Sequence, residues 1–171
     1  MSATYLSPYG TLTGALRISS KTVIFLNIIT KYDILLFNET WTNKYSPIDL
    51  PNYRVFSKHR VKKARAARES GGICVYIHSK FERGFKEENW DFEDGLCIRM
   101  DGTFFGWDKD IYLLCVYMRA TNSSREDLID DVNCYDILED KLVELRSNGH
   151  PVLLCGDMNA RTKNNGGLFL L

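Results

Sequence analysis

Net charge, long apolar runs, paired cysteines and a basic-then-apolar leader are all missing from this 171-residue chain, and each absence narrows what it can be. Lysine plus arginine number 22 and aspartate plus glutamate 22, so the formal net charge is zero. Whole-chain charge therefore says nothing about a polyanionic partner, and only local clustering can. The longest apolar stretch, 23–29, is interrupted by Asn27 and is far too short to span a bilayer, so no membrane partner is expected. Residues 1–10 are polar and turn-rich, unlike a signal peptide. No Cys-x-x-Cys pair exists to hold zinc, and five cysteines is an odd number for a disulfide framework. Cys74, Cys97, Cys115 and Cys155 lie in apolar runs and Cys134 in a helical pattern, and all five read as reduced, buried thiols of an intracellular protein. The sequons at Asn38 and Asn122 then have no secretory route to use. Finally, no Asp, Glu or His follows Asn159.

What is present fits one domain over 1–171: 44% apolar residues are enough for a sizeable core. The first twenty residues match no clear pattern. Ser19-Ser20 is placed to cap a helix from Lys21 to Lys31, but the β-branched Val23, Ile24, Ile28 and Ile29 argue for a strand. The unbroken run Ile34-Leu35-Leu36-Phe37 suits a strand buried on both faces. Extended segments follow at Tyr53–Phe56, Ile73–Ile77, Leu96–Met100 and Ile111–Tyr117, with a turn at Asp101-Gly102 and a short buried strand at Pro151–Cys155. Between the last two, Leu128, Val132, Tyr135, Leu138, Leu142 and Leu145 recur at three- and four-residue steps and predict an amphipathic helix over Arg125–Ser147. Ser123 with Glu126 has capping-box spacing, and Gly149 stands where a C-terminal cap belongs. The predicted class is a layered α/β (α+β) domain, with helices outside a sheet or sheet pair.

Two of these strands end in carboxylates, at Asn38-Glu39 and Gly156-Asp157. A strand buried mid-run cannot hold charge, but its end can present charge where ligands gather. Asp157 and Asn159 stand two apart, on one face of an extended backbone. That pairing suits phosphoryl chemistry: the aspartate orients or deprotonates water, and the asparagine donates to a phosphate oxygen. By itself a Gly-Asp-x-Asn turn after a strand is also a common loop. Lys58, Arg60, Lys62, Lys63, Arg65 and Arg68 form the densest basic run. It reads either as a solvated loop or as a loop that tracks a nucleic-acid backbone at the rim of a site. His78 and His150 read as loop residues, and Trp41, Trp90 and Trp107 as packing residues, with Trp41 near enough to Glu39 to line a site.

Four motifs share one resemblance. Asn38-Glu39-Thr40-Trp41 resembles the "QET" motif of the endonuclease/exonuclease/phosphatase family. Ser70-Gly71-Gly72-Ile73-Cys74-Val75-Tyr76-Ile77 resembles its Ser-Gly-Gly strand, Leu113-Leu114 through Val116-Tyr117 the strand ending in its active-site tyrosine, and Gly156-Asp157-Met158-Asn159-Ala160-Arg161 its Gly-Asp-x-Asn-Ala signature. The motifs run in family order from Lys21 to Arg161, and within the family they are most like the endonuclease domains of non-LTR retrotransposons. The resemblance implies a four-layer α/β sandwich with its site at one end of two packed sheets. It implies a magnesium (or manganese) ligand in Glu39, phosphate contact by Tyr117, and a water-activating or leaving-group role for Asp157 beside Asn159.

It further implies DNA as the partner, a larger reverse-transcriptase-containing polyprotein as the parent, and the nucleus as the compartment if genomic DNA is the target. The family's opening asparagine has no counterpart, since Asn27 lies too close to Glu39, and its late Asp and closing Asp-His pair have none after Asn159. The expectation is thus a copy incomplete at its C-terminus, with the opening strand replaced or lost and activity impaired. Two alternatives stand beside it: the same fold acting on an inositol phosphate, a phospholipid or RNA, and an inactive remnant that at most binds nucleic acid.

Overall fold

The computed structural model describes residues 27–41, 49–60, 71–118 and 134–159. The chain divides into two compact units, 1–32 and 33–171. In the first, residues 27–29 are helical, and turn bonds from Lys31 N to Ile28 O (3.4 Å) and Tyr32 N to Ile29 O (3.0 Å) follow. Of the two readings of this stretch, helix is the one realised at residues 27–29, despite Ile28 and Ile29, while residues 21–26 lie outside the described residues.

The second unit holds two sheets among its described residues. One is antiparallel, ordered β1 (Ile34–Asn38), β3 (Ile73–His78), β2 (Tyr53–Lys58). The other runs β4 (Phe85–Glu88), β5 (Gly95–Met100), β6 (Ile111–Tyr117), β7 (Val152–Asp157), with β6 and β7 parallel. Period-2 alternation decides the layering. From β3, Ile73, Val75 and Ile77 enter one core with Phe56, Leu96, Ile98, Leu113, Cys115 and Tyr117, so the sheets pack face to face. The alternate residues Cys97, Leu114 and Val116 form a second core with Trp90, Phe92, Leu138 and Leu145, against a helix.

A single turn, α1 (Gly102–Phe105), and that helix, α2 (Cys134–Ser147), complete the frame. The turn replaces the simple bend expected at Asp101-Gly102, because the Asp101 carboxylate accepts from Phe104 N (3.0 Å) and caps it. The expected C-terminal cap of α2 is present. Gly149 adopts φ 74, its N–H donates to Arg146 O (2.9 Å), and His150 N donates to Leu145 O (3.1 Å). These are the two bonds of a Schellman motif. The helix's predicted first turns, 125–133, and its capping box at Ser123 lie outside the described residues. A 3₁₀ helix (Ser79–Gly84) and β4 are additions that the sequence pattern did not suggest. The first lacks an apolar period, and the second has only Phe85 buried.

Two strand expectations need correction. β1 is not buried on both faces, since Ile34 is exposed and Leu36 and Phe37 are half-buried. β7 is not a buried strand either, with Leu153 56% exposed. Among the described residues each pairs on one side only, at the edge of its sheet, so an apolar run there need not be covered twice.

The second core ties α2 to its sheet through few side chains. Leu138→Ala should lower stability by about 2–5 kcal/mol, as large-to-small core changes do. Val143→Ala, on the exposed face of the same helix, should change it by less than about 0.5 kcal/mol. Urea unfolding of the two variants checks the difference.

Candidate active site

Pairing register determines which strand ends meet. Asn38 and Lys58 both stand opposite Ile73, so the C-terminal ends of β1 and β2 lie beside the N-terminal end of β3. In the other sheet Gly95 stands opposite Val116, and Tyr117 opposite Asp157. The two sets occupy the same end of the sandwich, because the Tyr117 hydroxyl donates a hydrogen bond across the sheets to Glu39 Oε1. Glu39, Tyr117, Asp157 and Asn159, singled out from the sequence on three separate segments, are thereby brought together.

Tyr117 is buried, and its phenol pKa is pushed up from the ordinary 10.0 to about 12. Burial is the largest cause, followed by the Glu39 hydrogen bond and charge; the Asp157 charge adds to the rise and the Arg60 cation opposes it. At neutral pH the phenol is therefore a donor that keeps its proton. Asp157 caps its own turn: Oδ1 accepts from Asn159 N (2.8 Å), while its carbonyl accepts from Met118 N (2.8 Å). Asn159 Nδ2 donates to Met118 O (2.7 Å), which uses one of the two donors an amide nitrogen carries.

Three glycines permit this closeness. Gly156 has φ 125, and a Cβ there would stand 1.9 Å from Val116 O, inside the β6–β7 ladder. Gly72 has φ 93, and a Cβ would stand 2.6 Å from Thr40 Oγ1. On Gly71, at φ 69, it would stand 2.6 Å from Arg60 Nη1. The Gly-Gly pair accepts the chain after Glu39: Trp41 N donates to Gly71 O (2.9 Å) and Thr40 N to Gly72 O (3.4 Å).

The basic run is not one uniform surface. Lys58 ends β2, and its Nζ donates to Trp90 O (3.0 Å). Arg60 turns inward: Nε meets Asp94 Oδ1 at 2.5 Å and Nη2 donates to Tyr117 O at 2.6 Å. Lys62, Lys63, Arg65 and Arg68 lie outside the described residues. Asp94, only 2% exposed, was not singled out from the sequence. One signal was there: an aspartate immediately before a glycine that opens an apolar strand. Of the tryptophans, Trp90 packs in the core as expected and Trp107, though partly exposed, stacks on Phe105 with ring centroids 4.6 Å apart, whereas Trp41 is exposed. His78 and His150 are end-of-strand and loop residues, and His78 Nδ1 caps the 3₁₀ helix by accepting from Lys80 N (3.2 Å).

Two packed sheets whose strand ends gather carboxylates, an amide and a protonated tyrosine define an α/β domain built for polar chemistry at one edge. The profile of the Endonuclease/Exonuclease/phosphatase family matches residues 15–169, and the chain belongs to that family. No curated protein matches it in sequence. Among solved structures it is similar to TDP2 from C. elegans, at 18% identity and TM-score 0.51 over 82% of this chain and 42% of that one. It is also similar to the human Nocturnin catalytic domain with bound sulfate anion, at 17% identity and TM-score 0.50 over 82% of this chain and 56% of that one. At these identities the likeness is one of fold, and the mixed α/β, two-sheet architecture is that of both. The chain spans less than two thirds of either.

Two consequences are measurable. Tyr117 and Tyr76 rise from 10.0 to about 12, both chiefly by burial, and Cys97 rises from 9.0 to about 11 for the same first reason. The folded state thus holds these protons more tightly than the unfolded chain. Their stabilisation is complete below about pH 9 and is lost as pH climbs towards about 12. Denaturant unfolding followed across that range should show stability falling, and Tyr117→Phe should flatten part of the slope. Gly156→Ala should cost more than about 4 kcal/mol, since backbone cannot yield to the added carbon. Thermal unfolding beside the parent chain reads that cost.

Proposed function

We propose that this chain carries an active site for metal-dependent phosphodiester hydrolysis, acting on DNA in the manner of a retrotransposon endonuclease. The observation that carries the reading is the meeting of Glu39, Tyr117, Asp157 and Asn159 at one end of the sandwich, through the Tyr117–Glu39 hydrogen bond and the Tyr117–Asp157 register.

A divalent ion fits the donors present. Among the described residues no cluster of three or more His, Cys, Asp or Glu forms a closed cage. Glu39 nevertheless offers a carboxylate at a strand end, and the neighbouring Asn38 Oδ1 is buried without a hydrogen-bond partner among those residues. Oxygen donors, few in number, are what magnesium takes while keeping waters and substrate oxygens; manganese accepts a similar set. In this reading Glu39, aided by Asn38, holds the ion, whose chemistry is to neutralise charge developing on phosphate oxygens.

The chain's own groups do the rest. Asp157 orients the attacking water and takes its proton, with its other oxygen fixed by Asn159 N. Asn159 uses its second amide donor on a non-bridging phosphate oxygen. Tyr117, kept protonated by burial, donates to the phosphate from the side of Glu39. Lys62, Lys63, Arg65 and Arg68 track the nucleic-acid backbone, each phosphate contact adding about −0.9 to the salt slope. Lys58 and Arg60 contribute less directly, because their side chains are engaged within the fold. The parent is then a reverse-transcriptase-containing polyprotein that works on nuclear DNA.

Nicking of supercoiled plasmid by the full chain, with and without magnesium, tests the reading. Asp157→Ala and Glu39→Ala should each lower the magnesium-dependent rate on the order of 10²- to 10⁴-fold. Nicking by either variant at the parent rate sinks the catalytic assignment. Competition by inositol phosphates stronger than by duplex DNA sinks the choice of substrate.

A further inference from the structure

Arg60 sits behind Tyr117, and four separate contacts meet there. Its Nε pairs with Asp94 Oδ1 at 2.5 Å, and its Nη2 donates to the Tyr117 carbonyl at 2.6 Å. The guanidinium carbon lies 4.7 Å from the centroid of the Tyr117 ring. Asp94 closes the circle, its backbone carbonyl accepting from Tyr117 N at 2.9 Å. The pair is enclosed, with side chains 14% and 2% exposed. Gly71 roofs the arginine so closely that a Cβ would lie within 2.6–2.8 Å of its side-chain atoms. The tyrosine's N–H, carbonyl and ring face are thus all held by Asp94 and Arg60, and its hydroxyl by Glu39.

Burying two charges rarely adds net stability over apolar packing, so a pair retained in such a place is better explained by the geometry it imposes. Arginine suits the task in a way lysine does not: its planar fork reads two acceptors while its face stacks on an aromatic ring. A side chain needed at a site is held in place by locked neighbours of this kind. The same contacts point these donors away from solvent, which a residue reaching for a phosphate backbone would not do.

We propose that Arg60, anchored by Asp94, is a positioning residue that fixes the Tyr117 ring so that its hydroxyl faces Glu39 and the substrate phosphate. It is not a nucleic-acid contact of the basic run. The functional part of this assignment rests on the phosphate-binding role given to Tyr117, but its test does not.

The full chain labelled with fluorotyrosine gives fluorine NMR signals for its 9 tyrosines, and Tyr117 is assigned by the signal lost in Tyr117→Phe. Arg60→Lys keeps the charge but loses the fork and the stacking surface. It should shift or broaden the Tyr117 signal while the other tyrosine signals stay. Asp94→Asn, which keeps shape and removes the anchoring charge, should do the same, and it stands in should Arg60→Lys fail to fold. The assignment is overturned if neither variant singles out Tyr117, whether that signal stays put or all the tyrosines move together. It is also overturned if Arg60→Gln lowers the salt slope of DNA binding by about one, as loss of a phosphate contact does. Plasmid nicking by Tyr117→Phe at the parent rate would remove the phosphate-binding role while leaving the positioning result intact, so the two ideas fail separately.

Discussion

The hydrogen bond from the Tyr117 hydroxyl to Glu39 joins the ends of the two sheets, and the arrangement of the site follows from it. Glu39 is delivered by an edge strand of one sheet and Tyr117 by an inner strand of the other. The bond can form only if Ile73, Val75 and Ile77 interdigitate with Leu96, Ile98, Leu113 and Cys115 closely enough to bring those ends together. Apolar packing sets the distance between the sheets, and the polar bond depends on that distance being right. It also reports on its own environment. A phenol beside a carboxylate in bulk water would gain little, whereas here burial is the first cause of its raised pKa and the carboxylate the second.

Charge around Tyr117 is arranged to be tolerable. Glu39 and Asp157 both push its proton affinity up, and Asp94 adds a further carboxylate to the same end of the fold. Three carboxylates gathered at one edge would repel one another without a cation among them. Arg60 is a cation set against both Asp94 and the Tyr117 ring. Its position explains why the basic run, counted as a block, overstates the charge available to a ligand. Two of its six members point their side-chain nitrogens at partners within the fold, to Trp90 O and to Asp94.

How much of this was legible in the sequence depends on the range of the interactions involved. The strand at Ile111–Tyr117 and the Gly149 cap were readable because period-2 burial and a left-handed cap are local properties. Glu39, Tyr117, Asp157 and Asn159 were readable as residues at strand ends, while their convergence needed register across β6–β7 and packing across sheets, which no local window contains. The misreadings of β1 and β7 have the same origin. An apolar run tells that a strand is apolar, not whether it is central or at an edge. Asp94 was missed because its partner is 34 positions away and its burial comes from that partner. Arg60 was grouped with its neighbours in sequence, although its neighbours in space are Asp94, Tyr117 and Gly71.

Backbone strain separates site from scaffold by a second route. Among the described residues, four that are not glycine adopt positive φ: Glu39 at 54, Trp41 at 50, Asn52 at 67 and Asn159 at 48. Asn52 stands just before Tyr53, at the end of β2 away from the site, and asparagine enters the left-handed region readily. Asn159 does so too, held by the Asp157 carboxylate. Glutamate and tryptophan do not, and each left-handed residue of that kind costs about 1–2 kcal/mol. Two of them in three positions is a local cost that apolar packing of an edge strand does not require. What holds them is the donation of hydrogen bonds from Thr40 N and Trp41 N to the carbonyls of Gly72 and Gly71, whose own positive-φ backbone accompanies that approach. The strain therefore falls on the residue whose carboxylate meets Tyr117, and the glycines that relieve it are also those that leave room for Thr40 and Arg60. The left-handed turn at Glu39 thus goes with holding its carboxylate against the buried Tyr117 phenol.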